Sequence, residues 1–228
     1  MFIVQEAMIT PLPGEILWDA DWISILDDAA GVEEEARYVA FRGLDQAQVA
    51  GDLVHFGSSI RLEKVLTPEV LLVHEMNGAP LPREHGFPLR ILVPDYVGAR
   101  SVKWLQDITL QSQPSTNYFQ ARDYKTFPPT VAAETVDWEQ GKTLEEIALN
   151  AVICTPKSGE TLQAGSVLVQ GYALAGEEAP VERVELSIDR EATWIPATIR
   201  EKTDRWIWCF WEARLSLPSG KYQLLVRA

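Results

Sequence analysis

The chain is poor in the residues that build metal and disulfide frameworks. It has two cysteines, Cys154 and Cys209, in 228 residues. That excludes a disulfide scaffold, a four-cysteine zinc site and a self-contained iron–sulfur cluster. Its three histidines, His55, His74 and His85, show no HxxxH or HExxH spacing. The GxGxxG, GxxxxGK[ST] and GxSxG motifs are absent. No apolar run reaches the ~18 residues of a membrane span, so no membrane partner is expected. The opening Met1-Phe2-Ile3-Val4-Gln5-Glu6 has no basic region ahead of an apolar one. No export signal is read there, and the compartment stays open. Positive charge is also scarce, with 20 Lys and Arg against 33 Asp and Glu, a net of −13. Proteins that neutralise nucleic-acid phosphates usually carry the opposite balance, so no nucleic-acid partner is expected.

What is present is a globular composition. Hydrophobic residues make up 46% and charged ones 23%, which sets the chain apart from disordered ones. At ~150 residues per domain the length suits one large or two modest domains. The charge is uneven. Residues 1–75 carry 14 acids and 4 bases, residues 129–228 carry 15 and 10, but residues 76–128 carry 4 acids and 6 bases. Such a basic enclave suits a small anion while the remainder repels polyanions; surface salt bridging explains it equally well.

The first half mixes patterns, so it reads as α+β. Trp22, Ile25, Leu26 and Ala29 have helical spacing over 22–31, ending at Gly31. A strand over 38–41 runs into a turn signal at Gly43-Leu44-Asp45. Residues 59–66 have helical spacing before Pro68. Strands are expected over 70–76, followed by an Asn77-Gly78 turn, over 89–94, and through 102–110. Residues 111–150 are polar and proline-punctuated and read as a connector. From 151 short β runs alternate with turn residues over 151–155, 167–173, 181–188, 194–198, 206–216 and 222–226. This is the pattern of an all-β, immunoglobulin-like antiparallel sandwich, and its brevity against the usual ~100 residues leads to the expectation that the last strand is missing. The expected boundaries are 1–128 for the first domain, 129–149 for the connector and 150–228 for the sandwich. Apolar neighbours make Cys154 and Cys209 buried free thiols in this reading. Trp206, Trp208 and Trp211 read as sandwich core, with a polysaccharide platform as the weaker option.

The run from His74 through Glu75-Met76-Asn77-Gly78 and Pro80-Leu81-Pro82 to His85-Gly86-Phe87-Pro88-Leu89-Arg90, followed by Gly98-Ala99-Arg100-Ser101-Val102-Lys103-Trp104, resembles the sulfite oxidase family. These are the eukaryotic-type molybdopterin oxidoreductases, which include assimilatory nitrate reductases. Arg122-Asp123-Tyr124-Lys125 is similar to the family's connector. The resemblance implies a partial molybdenum-cofactor domain followed by a dimerisation domain, with Mo-molybdopterin as cofactor, a homodimer formed through the sandwich, and oxo transfer to or from a small anionic substrate such as sulfite. It implies pterin contacts from Asp45, His85, Arg90, Ser101, Val102 and Lys103. It places Tyr124 beside the reacting oxygens, with Arg122 and Lys125 binding substrate and stabilising phenolate. The family's molybdenum thiolate lies in a C-x-G-N-R type motif, which the 228 residues lack. No metal ligand is therefore assigned, and the resemblance implies a chain incomplete as an enzyme by itself. A non-catalytic dimerisation scaffold, or one half of a split enzyme, is the alternative.

The chemistry of the candidates suits these roles. Asp45 accepts from ring N–H groups. Arg90 offers a planar fork to phosphate or a ring edge, and Lys103 a point charge. Ser101 and the Gly98–Arg100 turn can present amides to an anion. Gly86 lets a ligand approach the backbone at His85.

Overall fold

A computed structural model describes residues 18–22, 34–176, 180–200 and 208–228. The chain divides into two compact units, residues 1–145 and 146–228. Both are mostly β. Of the α+β character expected for the first unit, the described residues show one α-helix, the four-residue α1, Leu62–Val65, together with short 3-10 and π turns.

The first unit holds two sheets. In one, β2 (Tyr38–Val49) lies between β3 (Asp52–Arg61) and β7 (Leu105–Gln111), all antiparallel. In the other, β4 (Leu71–Met76) pairs with β1 (Trp18–Trp22), β5 (Ala79–Pro80) and β6 (Arg90–Leu92). The expected Asn77-Gly78 turn joins β4 to β5, with positive φ of 56° and 74° at its two residues. Val39 and Phe41 from β2, Ile60 from β3, Val70 and Ile91 close one core with Val102.

Three local expectations change. The helix over 59–66 shrinks to α1, because β3 stays paired to β2 as far as Arg61 opposite Tyr38. The apolar spacing there is shared by a strand end and a single helical turn. The turn at Gly43-Leu44-Asp45 is a bulge inside β2. Arg42 pairs with Gly57 and Gln46 with His55, so three residues stand opposite Phe56 alone. The chain reverses later, at Ala50-Gly51, again with positive φ. The helix expected over 22–31 lies outside the described residues, apart from Trp22, which ends β1.

The stretch read as a connector contains a π turn, Phe119–Asp123, and a small hairpin of β8 (Lys125–Thr126) with β9 (Lys142–Thr143). In the second unit β10 (Asn150–Thr155), β11 (Gly165–Leu174), β15 (Cys209–Leu217) and β14 (Thr198–Ile199) form one antiparallel sheet. A second sheet holds β13 (Ile195–Pro196), β12 (Glu185–Ser187) and β16 (Leu225–Arg227). Seven strands are thus described here. One apolar cluster takes residues from both sheets, with Val169 and Ala173 from β11, Leu186 from β12, and Cys209 and Trp211 from β15. Alternation along β11 buries Val167, Val169, Gly171 and Ala173 and leaves Leu168, Gln170 and Tyr172 half-exposed.

Cys209 is buried as expected, but Cys154 is exposed. It sits on the outward phase of β10, an edge strand whose register shifts between Ile153 and Thr155. Of the three tryptophans, Trp211 fills the core at 1% exposure. Trp208 instead stacks on Tyr172 with ring centroids 4.2 Å apart, and Trp206 lies outside the described residues. Among the described residues no helix is long and apolar enough to cross a membrane.

Candidate functional site

The pterin candidates come from three separate stretches of the first unit, and the fold brings them together. The hub is the Ser101–Trp104 segment. Ile91 N–H donates to the Val102 carbonyl at 2.9 Å, and Leu105 N–H to the Leu89 carbonyl at 2.8 Å, which aligns this segment with β6. Val102 is core, 1% exposed. Leu44 N–H donates to the Trp104 carbonyl at 2.9 Å and so fastens the β2 bulge to the same segment. Trp104 adopts φ of 49°, a left-handed conformation uncommon for so bulky a residue. Its indole N–H reaches the Arg83 carbonyl at 2.9 Å. One residue thus joins the bulge carrying Asp45 to the 3-10 turn Arg83–His85.

Arg90 is 3% exposed. Its Nη1 donates to the His85 carbonyl at 3.2 Å and its Nη2 to the Ser101 carbonyl at 3.1 Å. The fork therefore grips two loops that carry other candidates. Ser101 Oγ accepts from Val93 N–H at 2.9 Å. Lys103 Nζ donates to the Glu84 carbonyl at 2.9 Å and lies 5.4 Å from the Trp104 ring centroid. His85 is half-buried, and Gly86 after it is buried. Gly86 has φ of 106°, and a Cβ there would stand 3.0 Å from Lys103 Cβ and 3.2 Å from Arg90 Cβ. The missing side chain thus lets Arg90 and Lys103 close in, where sequence reasoning expected room for a ligand.

Asp45 is the exception to this saturation. Its Oδ1 is buried and has no hydrogen-bond partner. It is turned in against Gly43, where a Cβ would meet both that oxygen and the Lys103 carbonyl. Burial pushes the Asp45 carboxyl above its ordinary value; its own backbone N–H and the neighbouring His55 and Lys103 pull the other way.

The second group surrounds Tyr124, at the end of the π turn. Ser58 and Ser59 on β3 position it. Ser59 N–H donates to Gln120 Oε1 at 2.6 Å, and Arg100 Nη1 donates to Ser58 Oγ at 2.5 Å. Arg100 is fully buried and also donates to the Leu144 carbonyl through Nη2 at 2.5 Å. Burial lowers its pKa to about 10, against the charges of Glu145, Tyr124 and Tyr96. The Tyr124 phenol is raised by burial and by Asp123, and only Arg100 opposes this. Arg122 and Lys125, expected to favour the phenolate, are not among the charges that act on it. Arg122 lies over the Tyr118 and Trp138 rings at 6.0 and 5.7 Å, and Lys125 Nζ donates to the Trp138 carbonyl at 2.5 Å. Arg100 is the cation that faces Tyr124, and sequence reading missed that role. Its only signal was a place beside Ser101 in the Gly-Ala-Arg-Ser run.

Among the described residues no three His, Cys, Asp or Glu side chains gather as a metal site. A phosphorylated heterocycle with ring amines does fit the first group. An unpartnered buried acceptor at Asp45 suits a ring N–H, the Arg90 and Lys103 cations suit anionic phosphate, and both stand on a braced frame.

Comparison with known proteins agrees with this class of cofactor. Residues 16–119 match the family model described as the oxidoreductase molybdopterin binding domain, and residues 141–228 the Mo-co oxidoreductase dimerisation domain. The chain thus joins a segment of molybdopterin-binding type to one of dimerisation type. It belongs to the sulfite oxidase family, and the cofactor of that family is Mo-molybdopterin. Human mitochondrial sulfite oxidase is 40% identical over 197 residues, which cover 84% of this chain and 36% of that protein. The NADPH nitrate reductase of Fusarium oxysporum is 32% identical over 240 residues, covering 90% and 26% respectively. The sulfane dehydrogenase SoxCD of Paracoccus pantotrophus shares the fold with a TM-score of 0.74 at 23% identity, covering 90% of this chain and 49% of that one. The chain thus spans about half the length of these relatives or less.

Proposed function

We propose that this chain binds Mo-molybdopterin through Asp45, His85, Arg90, Ser101, Val102 and Lys103 and contributes to oxo transfer to or from a small oxyanion such as sulfite. The observation that carries the reading is the buried, unpartnered Asp45 carboxylate oxygen beside Lys103, within the segment matched to the molybdopterin-binding family. Bound molybdenum supplies two-electron oxo chemistry. The chain's own residues do the remainder. Asp45 accepts from ring amines. Arg90 holds the His85 and Ser101 backbones in place and adds positive potential, and Lys103 faces the anionic group. Tyr124, kept protonated, donates its hydroxyl to a substrate oxygen, with Arg100 behind it. Arg122 and Lys125 attract the anion from the rim.

The second unit is read as an immunoglobulin-like sandwich that forms a homodimer, supported by its two antiparallel sheets and its match to the dimerisation domain. The division into a cofactor domain to 128, a connector over 129–149 and a sandwich from 150 belongs to the same reading. One observation favours the alternative, a non-catalytic dimerisation scaffold. Arg90, Lys103 and Lys125 already donate to backbone carbonyls of the chain itself. Pterin and molybdenum analysis of the purified protein separates the two. Stoichiometric pterin that falls at least tenfold in Asp45→Ala supports the enzyme reading, whereas a pterin-free dimer supports the scaffold.

A further inference from the structure

The β2 bulge must hold its shape without help from the β3 ladder. Gly43, Leu44 and Asp45 stand opposite Phe56 alone on the β3 side, so pairing with β3 does not fix them, and on the other side the β7 register reaches only Gly43, opposite Leu105. Apart from the Leu44 link to Trp104, the bulge is held from β3 by the ring of His55. Nδ1 of His55 lies 2.9 Å from the Gly43 carbonyl oxygen. A carbonyl only accepts, so Nδ1 carries the proton. Nε2 lies 2.7 Å from Gln46 Nε2, an amide donor, so in the neutral ring Nε2 accepts. The two ring nitrogens thus grip β2 on either side of Asp45. The His55 backbone is itself held, since its carbonyl accepts from Asn117 Nδ2 at 2.9 Å. The Asn117 carbonyl in turn accepts from Ala121 in the turn leading to Tyr124.

We infer that His55 is a positioning residue for Asp45: its ring clasps Gly43 and Gln46 and keeps the Asp45 carboxylate turned inward toward the amine edge of the pterin. The inference rests on the assignment of Asp45 to the cofactor made above. A buried carboxylate oxygen without a donor favours any motion that returns it to water. Asp45 lies outside both strand registers, so no ladder bond resists that motion, and the clasp supplies the resistance. Neither motif nor spacing selects His55, because the contact depends on how far β2 bulges against β3.

The test compares His55→Ala, His55→Asn, His55→Gln and Asp45→Ala in the Mo-molybdopterin-loaded protein. The readouts are pterin retained after dialysis and the thermal midpoint. Asn places an N–H near the position of Nδ1, whereas Gln reproduces only the outer nitrogen. His55→Ala and His55→Gln should weaken retention roughly two- to tenfold, the effect of losing one neutral hydrogen bond. His55→Asn should stay near the unaltered protein, and His55→Ala should add no loss on an Asp45→Ala background. The role of His55 is overturned if Asp45→Ala weakens retention while His55→Ala does not, if Asn fails to rescue, or if the His55→Ala loss persists without Asp45. Unchanged retention in Asp45→Ala overturns the reading of Asp45 itself, and that of His55 with it. Should His55→Ala not fold, the contrast between Asn and Gln decides.

Discussion

A carboxylate oxygen buried without a donor raises the free energy of the fold that contains it. Asp45 is such a group, and the same feature suits it to a ligand rich in N–H donors. Its folded-state pKa lies above the ordinary 3.8 because burial disfavours the charge. The stability gained by protonating it is therefore fully present below 3.8 and lost as pH rises through the raised value. Asp45→Asn should raise the thermal midpoint of the cofactor-free protein at neutral pH, with the gain fading in acid, and should weaken pterin retention. Thermal melts across pH, with and without cofactor, check both arms. Tyr124 behaves differently. Burial and Asp123 keep its phenol protonated, so Tyr124→Phe removes a hydroxyl donor without leaving a charge exposed. Turnover in the loaded enzyme should fall by up to roughly 10²-fold with the melting temperature little changed, as steady-state kinetics can show. Arg100 is the structural counterpart. Arg100→Ala strands the Leu144 carbonyl, leaves Ser58 Oγ with its long bond to Gln120 Oε1, and empties a fully buried volume. A loss of ~3 kcal/mol or more in denaturant unfolding is expected.

Between the residue and the fold stands the loop from Arg83 to Trp104, which carries most of the candidate site. It is shaped by glycine at one point and by arginine at another. Gly86→Ala must place a Cβ 3.0 Å from Lys103 Cβ while adopting φ of 106°. It should cost ~1–3 kcal/mol and loosen both cations together, seen as a lower melting temperature with weaker pterin retention. The β2 bulge belongs to the same scale. Gly43-Leu44-Asp45 carries a turn composition, and the sequence reads as a turn there. The tertiary partner β7 continues alongside β2, with Gly43 opposite Leu105, and turns that composition into a bulge. The β4–β5 hairpin was legible because Asn77-Gly78 satisfies its own turn geometry within four residues.

For the molecule as a whole, two clusters of apolar side chains give two units, each closed by residues far apart in sequence. The second depends on Trp211, packed across from Gly171, where a Cβ would collide with the indole. Trp211→Ala should destabilise the second unit by ~3–5 kcal/mol. If that unit forms the dimer, sedimentation should show monomers before the first unit melts. The β runs of this unit were readable because inward and outward residues alternate with period two. The exposure of Cys154 was not, because an apolar neighbourhood in sequence says nothing about which strand lies at a sheet edge.

The sequence by itself determined the β character of the second unit, the Asn77-Gly78 reversal and the family motifs, since each rests on a few consecutive residues and their preferred geometry. Only the tertiary structure decided that α1 is one turn, that Asp45 sits unpartnered on a bulge, that Arg90 grips two backbones, and that Arg100 and His55 stand behind Tyr124 and Asp45. The reason is physical. Turn and strand preferences act within a window of a few residues, whereas burial, hydrogen-bond satisfaction and register depend on segments 12 to 62 positions away, as the contacts of His55 with Gly43 and with Asn117 show.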